Sequence, residues 1–295
     1  MSLKDTLRGT GVALVTPFSK KGAIDFNAFE ALLEFVIRGG VEYLIPLGTT
    51  GETPTLEKSE KIDIINFVYE KVNNRVPVVV GVGGNNTNEV LKDLEDFPLD
   101  KATALLSTCP YYNKPSQEGI FQHYSAIAKN SPKPVILYNV PGRTGCNITA
   151  KTTLRLAHEV DNVGGIKEAS GYMIQSMHIL KERPSEFMVC SGDDHVTLPL
   201  IAAGMDGVIS VAANCFPKDF SEMVRLCLAN DYNGARGLHY KLLEGIDLLF
   251  AENNPAGVKA FLTEMGIIEN HFRLPLVPLS SELHAQVKQY LATLN

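Results

Sequence analysis

Eight times in the first 230 residues, a short run of strand-forming apolar residues gives way to a helical pattern. The strand runs are Val12 to Thr16, Tyr43 to Leu47, Val76 to Val82, Ala102 to Thr108, Val135 to Asn139, a stretch ending at Lys167, Phe187 to Ser191, and Gly207 to Val211. Between them fall helical signals with recognisable ends. Asp25 can cap a helix carrying Phe26, Phe29, Leu33 and Val36 on one face, and Gly39-Gly40 closes it. Ser116 can cap a helix bearing Ile120, Tyr124 and Ile127, and Pro217 suits a first helical turn. Short apolar strands joined by helical crossovers must pair in parallel, and eight such units predict an α/β fold, a (β/α)8 TIM barrel. An open doubly wound sheet competes, but no G-x-G-x-x-G follows the first strand, and polar motifs recur after nearly every strand. Strand patterns stop near Asp231, so residues 1–230 are expected to form the barrel and 231–295 a helical appendage.

In such barrels, chemistry gathers at the strands' carboxyl ends. The stretch Val163-Gly164-Gly165-Ile166-Lys167-Glu168-Ala169-Ser170 reads as a buried strand that ends on a lysine. An apolar barrel mouth disfavours the ammonium and frees an amine nucleophile. Thr49 and Thr50 follow the second strand, and Tyr111 and Tyr112 the fourth. Tyr138 lies on the fifth strand, with Arg143 just beyond it. An amine forming an imine with a ketone needs a proton shuttle, which a phenol beside threonine hydroxyls can supply. Paired hydroxyls in a glycine-bracketed turn can hold one carboxylate, and Arg143 can hold a second. Each residue also has a bland reading: a surface lysine opening a loop, a tight turn, half-buried aromatics, a surface arginine. Taken together, those readings leave the shared strand-end position unexplained.

Composition removes other classes. With 45% hydrophobic residues the chain can fill a core without disulfides or metal. A net charge of −6 and no run of lysine and arginine argue against nucleic-acid or anionic-membrane partners. Five cysteines, widely spaced and without a C-x-x-C, suit a reducing cytoplasm. No apolar run is long enough for a membrane span, and Met1-Ser2-Leu3-Lys4-Asp5 lacks a signal core, so a cytoplasmic location is expected. The seven histidines show no metal-ligand spacing, so no metal is expected. Gly81-x-Gly83-Gly84 lacks the lysine and serine of a phosphate loop, and no phosphate cup for a pyridoxal cofactor is evident; no cofactor is expected.

Together, Gly48-Thr49-Thr50-Gly51-Glu52, Pro110-Tyr111-Tyr112-Asn113, Tyr138-Asn139-Val140-Pro141-Gly142-Arg143-Thr144, Gly165-Ile166-Lys167-Glu168-Ala169, Ser191-Gly192-Asp193-Asp194 and Gly207-Val208-Ile209-Ser210-Val211 closely resemble the dihydrodipicolinate synthase family. That family belongs to the class I, pyruvate-dependent aldolases, and the resemblance spans essentially the whole chain. It implies a cytoplasmic homotetramer, a dimer of dimers. The implied reaction condenses pyruvate with L-aspartate 4-semialdehyde to 4-hydroxy-tetrahydrodipicolinate, in lysine and diaminopimelate biosynthesis. By the same resemblance Lys167 is the Schiff-base lysine and Tyr138 the proton donor and acceptor. Thr49 and Tyr112 complete the relay, the latter in a neighbouring subunit's site. Thr50 and the Ile209 backbone contact pyruvate, and Arg143 receives the semialdehyde's carboxylate. Asn85, Glu89 and Tyr111 match positions that contact lysine in feedback-inhibited members, as vestiges of an effector site. Pro54, Lys58 and Lys61 depart from that pattern, which implies a weak or absent response to lysine. A sibling pyruvate aldolase, such as N-acetylneuraminate lyase, and a non-catalytic binding barrel are the rival readings.

Overall fold

The computed structural model describes residues 2–294. Among the described residues, eight strands form one parallel sheet: β1 (Gly9–Ala13), β2 (Tyr43–Ile45), β3 (Val79–Gly81), β4 (Ala104–Thr108), β5 (Val135–Asn139), β6 (Val163–Glu168), β7 (Met188–Ser191) and β8 (Gly207–Ser210). The strands follow chain order around the sheet, with β1 beside β8. Between β2 and β3 the ring is closed by Leu44 N–H to Pro77 O (3.0 Å) and Gly81 N–H to Pro46 O (3.0 Å). The crossover helices are α1 (Phe26–Arg38), α2 (Lys58–Val72), α3 (Thr87–Asp96), α4 (Gln117–Asn130), α5 (Ala150–Glu159), α6 (Met173–Glu182), α7 (Thr197–Ala202) and α8 (Pro217–Leu228). The fold is a (β/α)8 barrel.

Alternation along the strands divides the core in two. On β5, Ile136 and Tyr138 face the interior with Tyr43, Ile45, Val79, Leu106, Met188 and Ile209. Val135 and Leu137 face outward, into the layer packed beneath the helices. Asp25, Ser116 and Thr149 cap α1, α4 and α5 through their side chains, each satisfying an otherwise orphaned backbone N–H.

The strands differ from expectation mainly at their ends. β1 begins at Gly9 and stops at Ala13, because Gly9-Thr10-Gly11 pairs with β8. Glycine is needed at position 11, where a Cβ would collide with the Tyr43 ring. β2 ends at Ile45, two residues early, since Leu47 adopts φ 61°. Beyond α8 lie three further helices, α9 (Tyr232–Phe250), α10 (Ala256–Glu264) and α11 (Ser281–Thr293). They add Leu242, Ile246, Val258, Phe261 and Tyr290 to the outer core. Phe216, just before α8, meets Phe261 and Tyr290 edge-on at 5.5 and 6.1 Å between ring centres. Among the described residues no helix is long and apolar enough to cross a membrane.

Candidate active site

The site is built on the register between β5 and β6. Val135 pairs with Val163, but Ile136 pairs with Gly165, so Gly164 is an inserted residue. This bulge resets the phase of β6. Lys167 then lies directly across from Tyr138, with both side chains turned into the barrel. Lys167 Nζ sits 4.3 Å from the centre of the Tyr138 ring, and Lys167 is only 4% exposed. On the other flank it pairs with Cys190 of β7, whose thiol burial pushes up to about 12 despite the neighbouring lysine. The lysine's neighbour is therefore a neutral thiol, not a counter-ion. Gly192, after β7, makes room for it: a Cβ there would stand 2.8 Å from Lys167 Cε.

Tyr138 lines a cavity of about 400 Å³ at the carboxyl ends of the strands, with Thr49, Tyr111, Arg143, Asn254 and Lys61 also in its wall. The β2 loop enters as a single 3-10 turn, Thr49–Gly51, and leaves through Glu52 in a left-handed conformation. Thr53 Oγ1 donates to Gly48 O (2.8 Å) and Thr16 Oγ1 to Gly51 O (2.7 Å), which fixes the turn at both ends. Thr50 is buried and accepts a hydrogen bond from Asn254 Nδ2 at 2.8 Å. Arg143, in a short turn of helix over Pro141–Thr144, donates to Asn254 O at 3.2 Å. Asn254 thus links Thr50 and Arg143 from the connection between α9 and α10. It carries no signal in the sequence that would place it here.

Thr49, Tyr111, Tyr138 and Arg143 share the cavity, with Lys167 packed on Tyr138. Ile209 lies in the barrel interior on β8, fully buried. Tyr112 is apart from them: it is 89% exposed and holds φ 71°. Of the residues matched to an effector site, Asn85 donates to Tyr111 O (3.2 Å) and Glu89 pairs with Lys92 (2.9 Å). Asp194 accepts from the N–H groups of Val211 and Ala212, a capping role that joins the β7 and β8 loops. Among the described residues no group of three or more potential metal ligands comes together.

An amine laid on a phenol at the mouth of a (β/α)8 barrel, beside a threonine turn and an arginine, defines a class: the lyases that work through a lysine imine. Within that class the chain belongs to the dihydrodipicolinate synthetase family, whose model matches residues 6–294. It is 50% identical over 289 residues to the 4-hydroxy-tetrahydrodipicolinate synthase of Parabacteroides distasonis, covering 98% of this chain and 97% of that protein. The dihydrodipicolinate synthase of Aquifex aeolicus superposes with a TM-score of 0.95 at 38% identity, covering 98% of each chain. That of Thermotoga maritima gives 0.94 at 41% identity, again over 98% of each.

Proposed function

We propose that this chain condenses pyruvate with L-aspartate 4-semialdehyde to 4-hydroxy-tetrahydrodipicolinate, through an imine on Lys167. The observation that carries the reading is the facing pair Lys167 and Tyr138 in a chain half identical to enzymes of that name. The amine attacks C2 of pyruvate, and the carbinolamine loses water to give the imine. Tyr138 supplies and recovers the proton, with Thr49 as the next hydroxyl in the relay. Loss of a methyl proton gives the enamine, whose carbon attacks the aldehyde and forms the new C–C bond. The semialdehyde's amino group then attacks C2, closes the ring and releases Lys167. One water leaves overall, and no redox partner is needed.

In this reading, Thr50 and the Ile209 backbone hold the pyruvate carboxylate, and Arg143 holds that of the semialdehyde. Tyr112 serves the site of a neighbouring copy in a homotetramer. Two features support this assembly. Tyr112 is almost wholly exposed in a strained conformation, and Tyr172, Met173, Ile174 and Met177 leave an apolar patch at the start of α6. Borohydride added with pyruvate tests the central step: one reduced pyruvyl unit should map to Lys167, and a coupled assay should require both substrates. A label on another lysine, or an intact protein that takes none, overturns the reading.

A further inference from the structure

Behind the wall that carries Tyr138 and Lys167 lies a second, buried set of polar groups. The residues that follow them, Asn139 and Glu168, are paired in the same register, so they point out of the barrel as the first two point in. Asn139 is fully buried and Glu168 is 2% exposed. Asn139 uses its whole amide. Nδ2 donates to Glu168 Oε2 (3.0 Å) and to Asn147 Oδ1 (2.8 Å), and Oδ1 accepts from Ile148 N–H (2.9 Å). The backbone donor settles which end of the amide is which. Glu168 Oε2 also accepts from Gln175 Nε2 (3.0 Å), and Oε1 from Ser170 N–H (2.7 Å). Gln175 closes the circuit by accepting from Asn147 Nδ2 (2.9 Å). A buried carboxylate is thus held by neutral donors from β5, α6 and the turn after β6, with Asn147 of the loop before α5 bridging Asn139 and Gln175.

We propose that Asn139 and Glu168, backed by Gln175, are positioning residues that hold Lys167 against Tyr138. The inference rests on the imine reading above. The four residues occupy consecutive paired positions on rigid strands, so any slip of one strand end past the other moves the amine off the phenol. A displacement near one ångström at a reacting pair can cost about a hundredfold in rate. Beyond the β5–β6 ladder the main chain adds Ala169 N–H to Asn139 O and Gly192 N–H to Glu168 O (2.8 Å each), and the side-chain lattice braces the two strand ends from behind.

The test exchanges the amide and the carboxylate. Asn139→Asp sets a carboxylate oxygen against Glu168, and Glu168→Gln sets an NH2 against the donors of Asn139 and Gln175. Together they restore one donor facing one acceptor once the Asn147 and Gln175 amides turn over. Each single variant should lose about a hundredfold in kcat. Its rate of pyruvate trapping by borohydride should fall in step, with KM for pyruvate little changed. The double variant should recover most of both. Singles that melt earlier yet keep native kcat and trapping rate overturn the proposal, as does a double variant no faster than the singles. Where a single variant does not fold, Gln175→Ala gives the same kcat and trapping readouts. Native protein that gives no adduct on Lys167 sinks the imine reading itself; adduct formation with unaffected variants sinks only the positioning role.

Discussion

Lys259 and Glu52 form an ion pair in which neither side chain has any exposure, and through it α10 grips the loop that follows β2. Lys259 Nζ also donates to His271 O (2.9 Å) and lies over the rings of Phe18 (4.4 Å) and Phe272 (4.7 Å). Burial draws its ammonium down to about 8, against the pull of the Glu52 carboxylate. The helices after the barrel are thereby tied to the turn that presents Thr49 and Thr50.

Removing one partner of a buried pair strands the other charge, which costs about 3–5 kcal/mol. Lys259→Met should therefore lose stability on that scale in urea melts. Adding Glu52→Met to it should return most of the loss, because similar apolar volume replaces a buried pair at little cost. A Lys259→Met protein that melts like the native one would show that the pair bears no such burden.

Tyr138→Phe keeps the ring under Lys167 and removes only the hydroxyl. The side chain packs in the barrel interior, so the fold should survive with an unchanged melting temperature. Loss of a positioned acid–base group costs typically 10²–10⁴ in rate. Steady-state assays should place that loss in kcat, with a smaller change in KM for pyruvate. A variant within a few-fold of native kcat would move the proton relay to another group.

Tyr112 should act across a subunit boundary, given its near-complete exposure on its own chain. Tyr112→Phe and Lys167→Ala chains, each nearly inactive, can be mixed and re-equilibrated. Some sites then regain both groups, and activity should partly return. Mixed oligomers that form well and stay inactive would place Tyr112 outside the reaction.

Much of this arrangement was legible in the sequence, for definite reasons. Periodicity and side-chain caps are local, so the eightfold alternation and the caps at Asp25 and Ser116 could be read directly. Tyr138 and Lys167 could be placed on neighbouring strand ends because strand order in a barrel follows chain order. Register was hidden, since Gly164 reads as one more strand residue until its pairing shows the bulge. Asn254 and Lys259 act over long separations: Asn254 meets Thr50 204 positions away. In the sequence, Lys259 reads only as one residue of a helical pattern, with nothing to mark its burial.

His123, on α4, bears on acid stability. It is 5% exposed, its Nδ1 lies 2.9 Å from Thr87 Oγ1, and its buried Nε2 has no hydrogen-bond partner among the described residues. Burial pushes it down to about 4, while in the unfolded chain it titrates near its ordinary value of 6.5. As pH falls below 6.5 the unfolded chain takes up a proton that the folded protein refuses, so stability falls until about pH 4. Between pH 7 and pH 5 this should remove about 2 kcal/mol. His123→Gln should flatten that limb in urea melts across the range. An unchanged slope would mean that other groups set it.

Lys58 and Lys61 are expected to decide the response to L-lysine, and they sit in different surroundings. Lys58 is clasped by Asp93 (3.2 Å) and Asp96, so its charge is balanced before any ligand arrives. Lys61 lines the same cavity as Tyr111 and Tyr138, and Asp93 in that wall is already engaged by Lys58. An incoming ammonium at contact distance from Lys61 would meet a repulsion of about 1 kcal/mol in bulk water and about 4 near a protein surface. Allosteric couplings are typically about 1–3 kcal/mol, so one such charge is enough to remove effector binding. Initial rates at subsaturating pyruvate should therefore be nearly insensitive to excess L-lysine. Lys61→His, neutral for the most part at pH 7, should raise sensitivity, whereas Lys58→His alone should not. Strong, saturable inhibition of the native protein would refute the expectation. Sensitivity gained only from Lys58→His would put the repulsion on the other lysine.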